Sequence, residues 1–136
     1  SLKVEVKTCV EMYDDLQMEY PPNIKPMSLE GVADSGAQSC LLSLRKFYKC
    51  GFKKSHLVPV KLKMEAANRG SIEILGAIFL TISASGQTTH AMVYVSPDIQ
   101  GFYISKQCLT ELGCLSRSFP CAGEIERLES AAIIWE

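Results

Sequence analysis

The sequence has no surplus of positive charge and no long apolar run. Its 14 Lys and Arg residues stand against 15 Asp and Glu, a formal net charge of −1. That leaves nothing to neutralise a phosphate backbone, and nucleic acid is not an expected partner. No stretch approaches the ~18 consecutive apolar residues of a membrane-spanning helix, and the start, Ser1-Leu2-Lys3-Val4-Glu5, lacks the apolar region of a signal peptide. We therefore expect no membrane partner and a soluble, intracellular protein. No Cys-x-x-Cys pair occurs among Cys9, Cys40, Cys50, Cys108, Cys114 and Cys121, and His56 and His90 stand far from any tight cysteine cluster. No metal and no cofactor are expected, and most of the cysteines read as reduced, half-buried small hydrophobes, although disulfide connectivity is not readable from sequence. A Gly-x-Ser-x-Gly elbow, internal repeats and low-complexity segments are also missing.

What is present is apolar material for one modest core: 136 residues, 47% of them hydrophobic, are enough for one domain. The most informative stretch is Gly31-Val32-Ala33-Asp34-Ser35-Gly36-Ala37. Apolar and small residues run into an acidic one, followed by a hydroxyl residue and two residues with almost no side chain. This places a carboxylate at the end of a buried strand, on a tight turn whose backbone can be closely approached. Asp-Ser-Gly is also an ordinary turn sequence, so the flanks must decide.

Patterning along the chain predicts a mostly antiparallel β protein with two short helices. Val4, Val6, Thr8 and Val10 alternate with polar neighbours as a strand with one covered face, before Asp14-Asp15 and Tyr20-Pro21-Pro22-Asn23 break into loop. Met27 to Ala33 reads as the strand delivering Asp34, and Cys40 to Ser43 as a short strand after the turn. Ser43 caps a helix with Leu44, Phe47 and Tyr48 on one face and Gly51 as its stop; Ser105 caps a second, Lys106 to Leu112, stopped by Gly113. Leu62, Met64 and Ala66 share a face with Ile72 and Ile74 if the chain reverses through Ala67-Asn68-Arg69-Gly70, and Ile74–Ser83 pairs with Thr88–Val95 around residues 84–87. Leu115 to Phe119 reads as a last strand, Glu124 to Glu129 as helix-capable, and Ala131 to Trp135 as a small apolar patch.

Val32-Ala33-Asp34-Ser35-Gly36-Ala37 leading to Cys40-Leu41-Leu42, and Phe102-Tyr103-Ile104-Ser105 running into a helix that ends in Leu112-Gly113, resemble the two landmarks of the retropepsin family, the aspartic peptidases of retroviruses and retrotransposons. Met64 to Ile72 sits where that family carries its flap hairpin, and landmark order agrees over about residues 27 to 120. The look is closest to proteases of animal long-terminal-repeat retrotransposons, which often read Asp-(Ser/Thr)-Gly-Ala-Gln and close with Leu-Gly and Phe-Pro, as in Leu112-Gly113 and Phe119-Pro120. The resemblance implies a retropepsin-like closed β-barrel over residues 1–120, one lobe per chain, with 121–136 as an extension.

It also implies an aspartic endopeptidase that processes its own polyprotein, in the cytoplasm or within retroelement particles. Such enzymes are homodimers with the active site on the two-fold axis. A single carboxylate cannot act as base for water and acid for the carbonyl at once, and this chain has one Asp-(Ser/Thr)-Gly, so a second Asp34 must come from a second copy. By resemblance Asp34 is catalytic, Ser35 and Gly36 support it, and Ala37, Gln38, Ala66, Ala67, Asn68 and Ile104 contact an extended peptide. Val32, Leu41, Ile72 and Tyr103 are further candidates for apolar pockets, each equally readable as core. Ser105 stands where retroviral members usually have glycine, and Gln38 replaces their acidic residue. The alternatives are a catalytically weak or inactive dimerisation or peptide-binding module of the same fold, a hydrolase using Cys40 or Ser39 with His90, and a zinc-dependent module.

Overall fold

The computed structural model describes residues 1–66, 70–115 and a strand at 133–135. The opening alternation forms β1 (Leu2–Thr8), with Val4, Val6 and Thr8 turned inward. It stops two residues earlier than the pattern through Val10 suggests: Cys9 leaves the strand, and Val10–Asp15 form a short helix, α1, in place of the expected strand end and loop. The reason is long-range. A helical turn swings Tyr13 back over the barrel wall, where its ring meets Phe79 edge-on at a centroid distance of 4.9 Å, and its hydroxyl accepts the Phe79 N–H at 3.2 Å. A buried tyrosine with its oxygen satisfied outweighs two more residues of strand.

The other strands are β2 (Met27–Ala33), β3 (Cys40–Ser43), β4 (Met64–Ala66), β5 (Gly70–Ile72), β6 (Gly76–Ala84), β7 (Gln87–Ser96), β8 (Phe102–Ile104) and β9 (Ile133–Trp135). Six of them close into a barrel in the order β1-β2-β8-β3-β7-β6, and β5-β4-β9 form a separate three-stranded sheet. The longest pairing, β6 with β7, turns around Ser85 and Gly86, both at positive φ (51° and 79°); a two-residue turn of this kind matches the twist of its strands. The mainly β closed barrel, the projecting hairpin and the few short helices are the architecture expected from the sequence.

Helix α2 (Leu44–Lys49) begins at Ser43, whose Oγ accepts the Lys46 N–H at 3.1 Å, and ends at Gly51, where φ is +86°. Phe47 is buried and stacks on Phe52, whereas Tyr48, expected on the same face, is exposed. Helix α3 (Lys106–Glu111) is capped by Ser105 and followed by Gly113 at φ +75°. Both caps supply an acceptor to a first-turn amide that would otherwise lack one.

Three apolar clusters lie among the described residues, the smallest being Cys9, Tyr13 and Phe79 under α1; the other two position the site. The larger fills the barrel and includes Val4, Leu42, Phe47, Leu80, Val93, Phe102, Ile104 and Leu109. The second joins Met64 and Ile72 of the hairpin to Ala37 and Leu41, which follow Asp34 in the chain, with Leu62 and Ile74 packed against it. Met64 and Ile72 face each other across β4 and β5, as the proposed reversal requires. On the other edge of β4 the strand Ile133–Trp135 pairs antiparallel, Ala66 opposite Ile133. The expected strand from Leu115 to Phe119 lies outside the described residues except for Leu115, which is in no strand. The helix-capable stretch 124–129 and the division at residue 120 also fall outside them.

Gly31, three residues before Asp34, sits where a Cβ would come within 2.6 Å of Ile104 Cδ1 and 3.3 Å of the Leu2 carbonyl oxygen. Because Ile104 is fully buried, its side chain can yield only by disturbing the core. Gly31→Ala should therefore lower unfolding free energy by about 1–3 kcal/mol, read as a lower urea midpoint at unchanged slope. An unchanged midpoint would mean that the core accommodates the methyl group freely.

Candidate active site

The site is a turn held from both sides by one strand. β8 lies between β2 and β3, parallel to the first (Gly31↔Phe102, Val32↔Tyr103, Ala33↔Ile104) and antiparallel to the second (Leu41↔Tyr103, Leu42↔Phe102). The ladder runs on into the turn: the Asp34 N–H donates to the Ile104 carbonyl at 3.0 Å, and the Lys106 N–H donates to the Ala37 carbonyl at 3.2 Å. The turn closes on itself through the Ala37 N–H and the Asp34 carbonyl, 2.9 Å apart. Residues 34–37 are thus fixed at both ends by the backbone of 104–106.

This geometry buries the carboxylate. Asp34 is 3% exposed, and its Oδ1 has no hydrogen-bond partner among the described residues. Burial pushes its pKa from 3.8 up to about 6, against the backbone N–H groups of Gly36 and Ala37, which favour the charged form. A buried carboxyl with one unanswered oxygen and a pKa moved toward neutrality is suited to exchange protons. Ser35 is also buried.

Behind the turn, Ser105 has a definite task. Its Oγ accepts the Cys108 N–H at 3.3 Å as the cap of α3, and lies 3.6 Å from the Cys40 thiol. The Cys40 and Cys108 thiols are 3.6 Å apart, and the Ser105 N–H reaches Cys40 Sγ at 3.4 Å. The contact with the Cys108 thiol, ahead of the Ser105 backbone N–H, lowers the pKa of the Cys40 thiol in spite of burial. A hydroxyl here links the second arm of the turn to α3, a link that glycine would lack.

An open hollow of about 600 Å³ adjoins the turn on its α3 side, between Ser35–Gln38 and Lys106, Gln107 and Glu111. Asp34 is not among the residues that line it. Glu111 is held toward β7 by the Thr89 hydroxyl, which donates to it at 2.7 Å.

The structure brings Asp34, Ser35, Gly36, Ala37 and Gln38 together on one turn. Ala37 contributes its backbone to the turn and its methyl to the second core cluster, while Gln38 is exposed. Ile104, expected to contact substrate, instead has its side chain wholly inside the barrel; what it gives the site is its carbonyl. Leu41 and Ile72 are core, and Val32 is 42% exposed beside the turn. Ala66 lies on β4, and Ala67 and Asn68 fall outside the described residues. His90 is not bonded to Cys40 or Ser39. These residues border one small hollow, but His90 Nδ1 is taken by Cys9 Sγ and Thr81 Oγ1, each at 3.1 Å. Contrary to expectation, a histidine and a cysteine do meet, across 81 residues of sequence. Sequence reasoning also missed Lys106 and Gln107 beside the turn, for which the Ser105 cap was the available signal.

No known family pattern and no curated protein matches the chain. Among solved structures it is similar to the retroviral protease-like domain of Ddi1 from Leishmania major, with 20% identity and a TM-score of 0.46 over 80% of this chain and 72% of that one. It is also similar to EIAV protease complexed with the inhibitor HBY-793, with 16% identity and a TM-score of 0.46 over 66% of this chain and 80% of that one.

A carboxyl that binds its proton more tightly folded than unfolded stabilises the fold fully below about pH 4, and the contribution is lost as the pH rises toward 6. Relative to Asp34→Asn, whose amide does not titrate, the wild-type chain should lose on the order of 2 kcal/mol between about pH 4 and pH 7. Urea unfolding of dilute protein across that range measures the difference. A gap that does not change with pH would mean that the carboxylate is as well solvated folded as unfolded.

Proposed function

We propose that this chain is one half of a homodimeric aspartic endopeptidase of retropepsin type, acting on extended polypeptide and, in its own setting, on the retroelement polyprotein that contains it. The observation that carries this reading is the Asp34 carboxyl, buried on a turn that β8 grips at both ends, with one oxygen unanswered. The resemblance of the residues around Asp34 and around Ile104-Ser105 to retropepsin landmarks adds the family.

Peptide hydrolysis through water needs a base and an acid in the same transition state. One Asp34 per chain supplies one of them, and a two-fold axis at the turn supplies the other from an identical chain. Carboxyls held about 3 Å apart do not both ionise, so the pair shares a proton and titrates as a unit. The ionised member takes a proton from the attacking water, and the protonated member hydrogen-bonds the scissile carbonyl and then protonates it. No acyl-enzyme forms. In this reading Ser35 braces the pair, and Gly36, Ala37 and Gln38 face the substrate backbone, which lies as an added strand. The hairpin of β4 and β5, tied to the turn through Met64, Ile72, Ala37 and Leu41, covers it from the other side.

The test is cleavage of a mixed peptide library at mildly acidic pH over a range of protein concentrations. Specific activity should rise with concentration, a statine-type mimic should block it, and Asp34→Asn should reduce it by at least about 10²–10⁴-fold. Cleavage undiminished in Asp34→Asn would end the aspartic mechanism. Peptide binding without cleavage at any concentration would favour a binding module on the same fold.

A further inference from the structure

Away from Asp34, three elements converge on a set of side chains that the peptidase reading does not use. The Cys9 N–H extends the pairing of β1 by donating to the Phe79 carbonyl at 2.9 Å, Glu11 stands in the first turn of α1, and His90 lies on β7 opposite Thr81 of β6. Cys9 Sγ is 3.1 Å from His90 Nδ1 and 3.8 Å from Glu11 Oε2, and Glu11 Oε2 is 3.7 Å from His90 Nε2. A thiol, an imidazole nitrogen and a carboxylate oxygen all lie within 4.8 Å of one another.

Two chemistries use such a trio. As a nucleophile with its base and orienting carboxylate, Cys9 would have to reach a substrate, and it is completely buried. As ligands, the trio needs only to admit an ion. Zinc takes sulfur at about 2.3 Å and nitrogen or oxygen at about 2.0 Å in a tetrahedron, which sets donor atoms roughly 3.3–3.5 Å apart. An imidazole gives one nitrogen to an ion; Nδ1 is the one facing the thiol, so the separations that count are Cys9 Sγ to His90 Nδ1 at 3.1 Å and Cys9 Sγ to Glu11 Oε2 at 3.8 Å, which bracket that range. The cysteine sits at the bottom, while the imidazole and carboxylate side chains above it are 47% and 69% exposed, so an ion enters from solvent by small rotations of those two.

We propose that Cys9, Glu11 and His90 form a site for a divalent transition-metal ion of zinc type, with a fourth position left to water. On binding, the Cys9 thiol gives its proton to solvent and the thiolate joins the ion. Thiolate, carboxylate and neutral imidazole then balance the two positive charges, so no charge is stranded at the buried end of the site. Thiolate with imidazole selects zinc-like ions over magnesium or calcium, which want oxygen. The ion fastens α1 to the β6–β7 hairpin and stabilises the folded chain by mass action.

The reduced full-length chain titrated with Co²⁺ tests this directly. Expected are a thiolate-to-cobalt charge-transfer band saturating at one ion per chain, its loss on adding Zn²⁺, and a rise in melting temperature with Zn²⁺. Cys9→Ser and His90→Gln should abolish the band, and Glu11→Gln should weaken Co²⁺ binding at least about tenfold. His90→Gln changes an exposed side chain, which keeps the test decisive if Cys9→Ser fails to fold. The band should persist in Cys114→Ser/Cys121→Ser. Absence of a band, its survival in His90→Gln, or its loss in the Cys114/Cys121 variant would overturn the site.

Discussion

Everything at the candidate site depends on β8 lying between β2 and β3. Those two strands are neighbours in sequence, and the turn joining them would ordinarily be a free hairpin end. With Phe102–Ile104 inserted, each arm of the turn has a backbone partner, and the turn becomes part of the sheet. The Asp34 amide and the Ala37 carbonyl are both consumed by the same short segment, so the carboxyl between them has no slack. Packing reinforces the arrangement: Ile104 fills the space left by Gly31, and Phe102 and Leu42 lie together in the barrel.

Such rigidity makes the burial of Asp34 effective. A flexible turn would let the carboxylate rotate into solvent and regain its ordinary pKa. Held as it is, the group bears the desolvation cost, and only the amides of Gly36 and Ala37 offset it. An oxygen without a partner in so ordered a setting is an energetic fault in a lone chain. In the proposed dimer a second carboxyl sharing its proton would remove that fault, so assembly and chemistry would be two aspects of one interaction.

Local chemistry made parts of this legible. Ser43 with Gly51, and Ser105 with Gly113, bound two helices to within a residue because capping and positive φ act over a single turn of chain. The antiparallel pairing of β4 with β5 and the hairpin around Ser85-Gly86 follow from alternation and turn residues. What escaped sequence reading depends on partners far along the chain. α1 exists because Tyr13 finds Phe79, Tyr48 turns outward while Phe47 takes the core, and Ile104 belongs to the barrel because Gly31 leaves room for it. The meeting of Cys9 with His90 needs the pairings of β1 with β6 and of β6 with β7 at once. Asp34 was identifiable because its neighbours form a continuous motif; the strand that immobilises it lies about 70 residues away, where no local signal reports the pairing.

That separation has a kinetic side. Insertion of β8 requires Phe102–Ile104 to slot between strands that lie before residue 44, so the contacts fixing the turn are among the longest-range in the chain, of the sort that form late and slowly. While the chain leaves the ribosome, Asp34 emerges early but has no ladder to hold it until residue 106 has followed. The burial of Asp34 and its raised pKa therefore wait on a pairing made about 70 residues later, so the turn acquires its electrostatic character only as the barrel closes.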